Sequence, residues 1–350
     1  MDDIALLEGL LAQYSPSGEE AGAAGYLVKQ MQVLGYTADI DGAGNAVGMR
    51  GNGPREILLL GHIDTVPGYI DVKRDGDILH GRGAVDAKGP LACFTAAAAR
   101  IDPPADWKVT VIGAVGEERA SPGARYLMDH HDTPAMVVIG EPSGWDHVTL
   151  GYKGSAWFTY TLREPMTHTA ARTISSCETA VLFWHNLLQI ATDYNAPFTR
   201  LFDQLSPTLR EMGSSNDGFY QTAQLKIGVR IPAGFDAARL LNLVSNSVSG
   251  AEIHIDDFTP AYKAEKNTPV VRALLAGIRS QNGHPGFTLK TGTADMNIVG
   301  PLWNCPIAAY GPGDSNLDHT PGEYILIHEY QTSINVLVVA LEQIIKNTPE

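Results

Sequence analysis

Cysteine is scarce in this chain of 350 residues: Cys93, Cys177 and Cys305 stand far apart, odd in number and without a C-x-x-C pair. That argues against a disulfide framework and a thiolate zinc site, and reads as three partly buried thiols in reducing surroundings. Positive charge is short as well. With 25 Lys and Arg against 39 Asp and Glu, the net charge is −14 and the pI is near 5.2. Bulk charge therefore disfavours nucleic acid and anionic membranes as partners, although a local basic patch stays open. No apolar run reaches the ~18–20 residues of a membrane-spanning helix. The opening MDDIALLEGLLAQYSPSGEE carries acids where an export signal needs bases, so a cytoplasmic location is the expectation. G-x-S-x-G and an intact G-x-G-x-x-G are missing, and His328-Glu329-Tyr330-Gln331-Thr332 fails H-E-x-x-H. Internal repeats and low-complexity tracts are missing too.

What is present is ample core material, 44% hydrophobic residues, in a length that suits about two domains. Residues 3–16 put Ile4, Leu6, Leu7, Leu10 and Leu11 on one helical face, and Ser17-Gly18-Glu19-Glu20 opens a second helix. Glu56–Leu60, Lys108–Ala114 and Met136–Ile139 read as buried strands, with a buried helix at Gly89–Arg100 between them. This alternation predicts an α/β layer with parallel strands. From about Gly154 the texture changes. Strands at Ala156–Leu162, Gln224–Ile231 and Glu252–Phe258 alternate with helices at Ser175–Ile190 and Phe235–Val248, the order of a small α+β sandwich. A helix at Thr268–Ser280, a strand at Pro306–Tyr310 and a terminal helix at Glu329–Ile345 follow. The expected organisation is an α/β domain (1–153 and 260–350) interrupted by an inserted α+β domain (154–259).

Chemistry-bearing residues gather where strands are expected to end. Glu56–Leu60 runs into Gly61-His62-Ile63-Asp64, where an imidazole and a carboxylate two residues apart project to one side of an extended segment. They can form a metal ligand and its supporting group, or a plain turn pair. The loop Gly81-Arg82-Gly83-Ala84-Val85-Asp86 precedes the buried helix. Asp86 puts negative charge where a phosphate would sit, and so suits a cation or an N-cap. Gly116-Glu117-Glu118 sets two adjacent carboxylates after a buried strand, tolerable beside a dication or as a solvated acidic turn. Gly140-Glu141-Pro142 brings an acid to a third strand end, and Asp318-His319 follows Tyr310-Gly311-Pro312-Gly313. Taken together, His62, Asp86, Glu118, Glu141 and His319 make a zinc-type donor set, enough for two ions sharing one carboxylate. Glu117 is then left over as a general base.

GHIDTVPG, GRGAVDAKG, GEE, GEP and YGPG…HTPGE, in this order, resemble the co-catalytic zinc amidohydrolases: acetylornithine deacetylase, succinyl-diaminopimelate desuccinylase, aminoacylase and glutamate carboxypeptidase. The resemblance spans nearly the whole chain. It implies a zinc-peptidase-like α/β/α catalytic domain with an inserted ferredoxin-like α+β lid and dimerisation domain. It implies two Zn²⁺ per chain, with Co²⁺ able to substitute. Asp86 would bridge, His62 and Glu141 would bind one ion, and Glu118 and His319 the other. Asp64 would orient His62, and Glu117 would be the base. His168, in Pro165-Met166-Thr167-His168-Thr169, resembles the substrate-contacting histidine of the lid, and Arg230 the arginine that holds a substrate carboxylate. GYKG (Gly151–Gly154), KTGTADMN (Lys290–Asn297) and YGPGDSNLDHTPGEY (Tyr310–Tyr324) are most similar to the branch that releases lysine or ornithine from the amino-group carrier protein LysW. That branch often has three glutamates where this chain has Gly116-Glu117-Glu118.

The resemblance thus implies a LysW-type carrier or a small N-acyl amino acid as partner, and a homodimer. Thr293 and Asp295, in a polar loop, are candidate substrate contacts: Asp295 would pair with a lysine or ornithine ammonium or serve a turn. Lys153, Arg163, Arg172, Arg200, Arg210 and Lys226 are candidates for a basic patch that steers an acidic carrier. The alternatives are an acetylornithine deacetylase, a desuccinylase or a related aminoacylase or carboxypeptidase. From other classes come a metal-binding, non-catalytic scaffold and a dinucleotide oxidoreductase.

Overall fold

The computed structural model describes residues 2–168, 170, 173–236 and 250–347. The chain divides into two compact units, one formed by residues 1–151, 264–289 and 294–350, the other by residues 152–263 and 290–293.

The first unit is built on a mixed sheet. Four strands run parallel at its centre, in the order Trp107–Ala114, Arg55–His62, Met136–Gly140 and Ile307–Ala309. Antiparallel strands Ala46–Gly51 and Thr37–Ile40 extend one side, and His147–Tyr152 the other. Parallel strands in such a sheet are buried on both faces and therefore read as unbroken apolar runs. Ile57, Leu59, Val109, Val111 and Val138 point into a core shared with the helices Asp3–Leu11, Ala21–Val33, Lys88–Ala98, Pro269–Ser280 and Ile327–Asn347. The alternate residues Leu58, Leu60, Ile112, Val137 and Ile139 are buried as well, and the helices Pro122–His130 and Asp295–Trp303 pack on each other. An α/β/α layer follows.

Local chemistry fixes the helix starts. Asp2 caps the first helix by accepting from the Ile4 N–H, and Thr268 accepts from Val271 N–H just before Pro269. Pairing aligns the carboxyl ends of the central strands: His62 lies opposite Ala114, and Gly61 opposite Gly140. A small antiparallel sheet joins Lys73–Asp75, Ile78–His80 and Tyr324–Leu326.

The second unit is an antiparallel sheet ordered Ser206–Asn216, Tyr220–Ile231, Gly154–Pro165 and Ala251–Thr259. Phe158, Tyr160 and Leu162 alternate toward Phe183 and Leu187 of the helix Ser176–Asn195. A capping box closes that helix's start: Ser175 Oγ accepts from Glu178 N–H, and Glu178 accepts from Ser175 N–H. The helix expected over Phe235–Val248 falls, from 237 onward, outside the described residues. Among the described residues no helix is long and apolar enough to cross a membrane.

Candidate metal centre

His62 ends the strand Arg55–His62, and Asp86, Glu118 and Glu141 follow at neighbouring loops. His62 Nδ1 lies 3.0 Å from the main-chain oxygen of Asp64, so its N–H donates there. The other ring nitrogen, Nε2, is 3.1 Å from Asp86 Oδ1. The His319 Nε2 sits 2.9 Å from both Asp86 Oδ2 and Glu118 Oε1. One ligand atom each from His62, Asp86 and Glu118 falls within 4.8 Å of the others. Asp86 thus stands between two imidazoles, one oxygen turned to each. The Asp86–Ala87 peptide is cis, and His319 has a left-handed backbone, φ 61°.

Asp64 is completely buried and works as an acceptor hub. Its Oδ1 accepts from Glu117 N–H at 3.0 Å, and its Oδ2 from Glu118 N–H at 3.1 Å and from Ser17 Oγ at 2.6 Å. The same carboxylate is 3.5 Å from His62 Nδ1.

The donor set fits divalent cations on chemical grounds. With the Nδ1 hydrogen of His62 committed to a carbonyl, a neutral ring directs its Nε2 lone pair at a carboxylate oxygen, acceptor against acceptor. Only a proton or a metal ion relieves this. Without metal, protons take the role. Burial pulls His62 down, but its hydrogen bonds to Asp64 and Asp86 and the charges of Glu117 and Asp86 carry its pKa well above the usual value. Hydrogen bonds to Asp86 and Glu118 lift His319 to about 10. Burial pushes Glu117 and Glu141 well above the ordinary carboxylate range, helped by neighbouring acids, and burial raises Glu118 too. For Asp86 burial also pushes upward, but His319 and His62 outweigh it and hold the carboxyl low. Dications bound here would exchange these protons for metal.

The remaining expected site residues divide between the units. Asp295 does not lie in a loop: it begins the helix Asp295–Trp303 and is 2% exposed. The cause is local, since Asn297 Oδ1 accepts from the Ala294 N–H and caps the helix start. Neither Asp295 carboxylate oxygen makes a well-formed hydrogen bond, and burial pushes its pKa up to about 6 despite the pull of His62 and Ser121. In the second unit, Arg230 donates to Thr293 Oγ1 at 3.3 Å. His168 is exposed, and its Nδ1 accepts from Ala170 N–H at 3.1 Å. Lys153, expected in a surface basic patch, is instead buried. Its ammonium donates to the main-chain oxygens of Leu201 and Gln204 and to Ser206 Oγ, and burial lowers its pKa to about 8. Arg163 and Arg200 are exposed but ion-paired with Asp217 and Asp203; Arg172 lies outside the described residues.

Three supporting residues escaped the sequence reading: Ser17, Arg82 and Glu323. Ser17 holds Asp64. Buried Glu323 accepts from Arg82 and from two N–H groups of the Asp86 loop. Arg82 and Glu323 stand inside motifs quoted for other residues, and Ser17 in a segment read as a helix start, so the signal existed without a reason to read it.

A mixed sheet whose parallel strand ends gather imidazoles and carboxylates is an architecture able to hold metal ions, and comparison with known proteins supplies the class. Residues 58–343 match the model of peptidase family M20/M25/M40. The LysW-lysine hydrolase of Deinococcus radiodurans is 42% identical over 341 residues, 95% of this chain and 94% of that one. The LysW-lysine/LysW-ornithine hydrolase of Saccharolobus islandicus is 32% identical, over 97% and 95%. Among solved structures, the M20 family metallo-carboxypeptidase Sso-CP2 from Sulfolobus solfataricus shares the fold with a TM-score of 0.78 at 18% identity, covering 99% of this chain and all of that one. Aminopeptidase PepT from Bacillus cereus does so at 0.79 and 16%, covering 98% and 99%. The chain belongs to peptidase family M20/M25/M40. It is accordingly a hydrolase of amide bonds that uses divalent metal.

Proposed function

We propose that this enzyme hydrolyses the amide joining lysine or ornithine to the C-terminal glutamate of a LysW-type carrier protein, in the cytoplasm. The observation that carries the reading is the 42% identity to a LysW-lysine hydrolase across nearly the full length of both chains. The contacts of Asp86 with His62 and His319, and of His319 with Glu118, support it.

Two zinc ions per chain are the proposed complement, with cobalt able to replace them. His62 and Glu141 would hold one, Glu118 and His319 the other, and Asp86 both. When bound, the ions supply Lewis acidity, polarising the amide carbonyl and acidifying the attacking water. Glu117 takes that water's proton and delivers it to the departing amine. A base held well above the ordinary carboxylate range by burial suits this task near neutral pH. Asp64 fixes the backbone of Glu117 and Glu118 through its two N–H contacts and keeps His62 oriented. His168 is assigned as donor to the oxyanion, and Arg230, with Thr293, to a substrate carboxylate. Asp295, an acid without a well-formed hydrogen bond, is assigned to the substrate ammonium.

A homodimer through the second unit belongs to this proposal, supported by exposed Val181, Leu182 and Leu188 on the helix Ser176–Asn195. Mixing Glu117→Ala with His168→Ala protein tests whether His168 serves the partner's site: activity recovered in the mixture supports it, and a strictly monomeric species excludes it.

The substrate is tested by assaying carrier-linked lysine, carrier-linked ornithine, N-acetyl-lysine, N-acetylornithine and succinyl-diaminopimelate side by side. The expected result is the highest kcat/KM for a carrier-linked substrate. Faster cleavage of succinyl-diaminopimelate, or of N-acetylornithine with the carrier forms inert, overturns the substrate while leaving the amide hydrolase intact.

A further inference from the structure

Glu323 is a buried carboxylate beside this centre whose oxygens accept from Arg82 and two main-chain N–H groups rather than from the expected ligands' side chains. It lies four residues beyond His319, next to the strand Tyr324–Leu326. That strand pairs antiparallel with Ile78–His80, Tyr324 opposite His80. The pairing carries Glu323 alongside the start of the Gly81–Asp86 loop, where its main-chain oxygen is 3.4 Å from Gly81 N–H.

The side chain then makes three contacts, all to that loop. Its Oε2 accepts from Arg82 Nη1 at 2.8 Å. Its Oε1 accepts from Val85 N–H at 2.9 Å and from Asp86 N–H at 3.1 Å. Arg82 is itself buried, and its Nε donates to the Gly68 oxygen at 2.9 Å. The arrangement gives the carboxylate a charged donor and two fixed peptide donors, which meets the cost of burying it.

The consequence concerns Asp86. A peptide N–H of Asp86 itself is held by the segment that carries His319, so one buried group sets the separation of two expected ligands. Each Asp86 oxygen faces a different imidazole, at 3.1 Å and 2.9 Å. A small rotation of the Asp86 backbone would open one of these distances while closing the other. Supporting groups of this kind commonly set metal affinity as strongly as they set stability. We infer that Glu323, braced by Arg82, is a positioning residue that sets Asp86 between His62 and His319 and thereby tunes the affinity and geometry of the bound metal. This rests on the reading of His62, Asp86, Glu118 and His319 as ligands.

The test uses the full chain stripped of metal and titrated with Co²⁺, read by calorimetry and by the visible absorption of the bound ion. Glu323→Gln keeps an oxygen for the two N–H groups but turns an amide N–H₂ toward Arg82. Arg82→Lys keeps the charge on the pair while withdrawing the fork that reaches Gly68. Glu56→Gln, in a buried network at the opposite end of the same strand as His62, is the control for general destabilisation. The expected outcome is a loss of about 10–100-fold in Co²⁺ affinity for Glu323→Gln, with shifted absorption bands. Arg82→Lys should move the same way by a smaller factor, and Glu56→Gln should leave both readouts unchanged. If Glu323→Gln does not fold, Arg82→Lys alone decides. Folded variants that bind Co²⁺ with wild-type affinity and spectrum overturn the positioning role, as does an equal loss in Glu56→Gln. A wild-type chain that takes up no Co²⁺ would instead sink the ligand assignment beneath it.

Discussion

Asp64 offers the sharpest perturbation, because one carboxylate holds the proposed base, one proposed ligand and the ring of another at once. Replacing it by alanine strands Glu117 N–H, Glu118 N–H and the Ser17 hydroxyl, now bonded at 3.0, 3.1 and 2.6 Å, and removes the carboxylate beside buried His62. Hydrogen bonds to a charged acceptor are worth about 1.5–3 kcal/mol each. Simple addition would give about 4.5–9 kcal/mol, but three bonds to one group are not independent, and Ser17 can turn to other partners. The loss expected for the metal-free protein is therefore about 4 kcal/mol, with about 10–100-fold weaker metal binding. Asp64→Asn keeps the shape and one carbonyl oxygen, so it should fall between wild type and alanine in both measures. Urea unfolding of the chelated protein and calorimetric titration with Zn²⁺ measure the two effects separately. An alanine variant within about 1 kcal/mol of wild type, binding zinc equally well, would refute the hub.

Other changes probe separate links. Glu117→Ala should keep metal binding and lose about 10²–10⁴-fold in kcat; retention of more than a few per cent of activity at full metal loading would remove it as the base. Glu56 is buried among Thr110, His131 and Lys108. Burial pushes its pKa up, but His131, Thr110 and Lys108 together hold it below the ordinary value. A depressed folded pKa stabilises above the unfolded value of about 4.3 and is lost as pH falls through the folded one. Glu56→Gln should therefore flatten the acid limb of the stability curve below about pH 5, and an unchanged limb in urea melts would contradict this. A Cβ at Gly277 would lie 2.3 Å from the Val336 main-chain oxygen, so Gly277→Ala should cost about 1–3 kcal/mol. Gly25→Ala, exposed in a helix with nothing within 4 Å, should gain up to about 1 kcal/mol. Equal unfolding midpoints for the two would contradict the packing argument.

The elements legible in the sequence were those whose burial is symmetric. Glu56–Leu60 and Met136–Ile139 are apolar on both faces, and such runs have few structural alternatives. The edges were not legible. Thr37–Ile40 and Ser206–Asn216 form strands, yet their largely exposed, polar residues carry no period of their own. They are strands because a neighbour supplies the ladder. Asp295–Trp303 was hidden differently: nine residues containing Pro301 look unlike a helix until Asn297 is seen to cap them.

The centre shows the same division at the scale of side chains. Groups able to meet a cation are of few chemical types, and here they recur at strand ends in a fixed order, so His62, Asp86, Glu118, Glu141 and His319 stand out together although each alone has a plainer reading. Groups that hold those side chains need only be acceptors or donors in the right place. Ser17 reaches Asp64 across 47 positions and Glu323 reaches Arg82 across 241, distances over which no spacing rule operates. Lys153 marks the reverse error. Its charge suited a surface patch, whereas three acceptors from the Leu201–Ser206 segment make burial tolerable. Donor type is a property of the residue and can be read one letter at a time. Support is a property of the fold, because the strand pairing of Tyr324–Leu326 with Ile78–His80 has to exist before Glu323 has anything to hold.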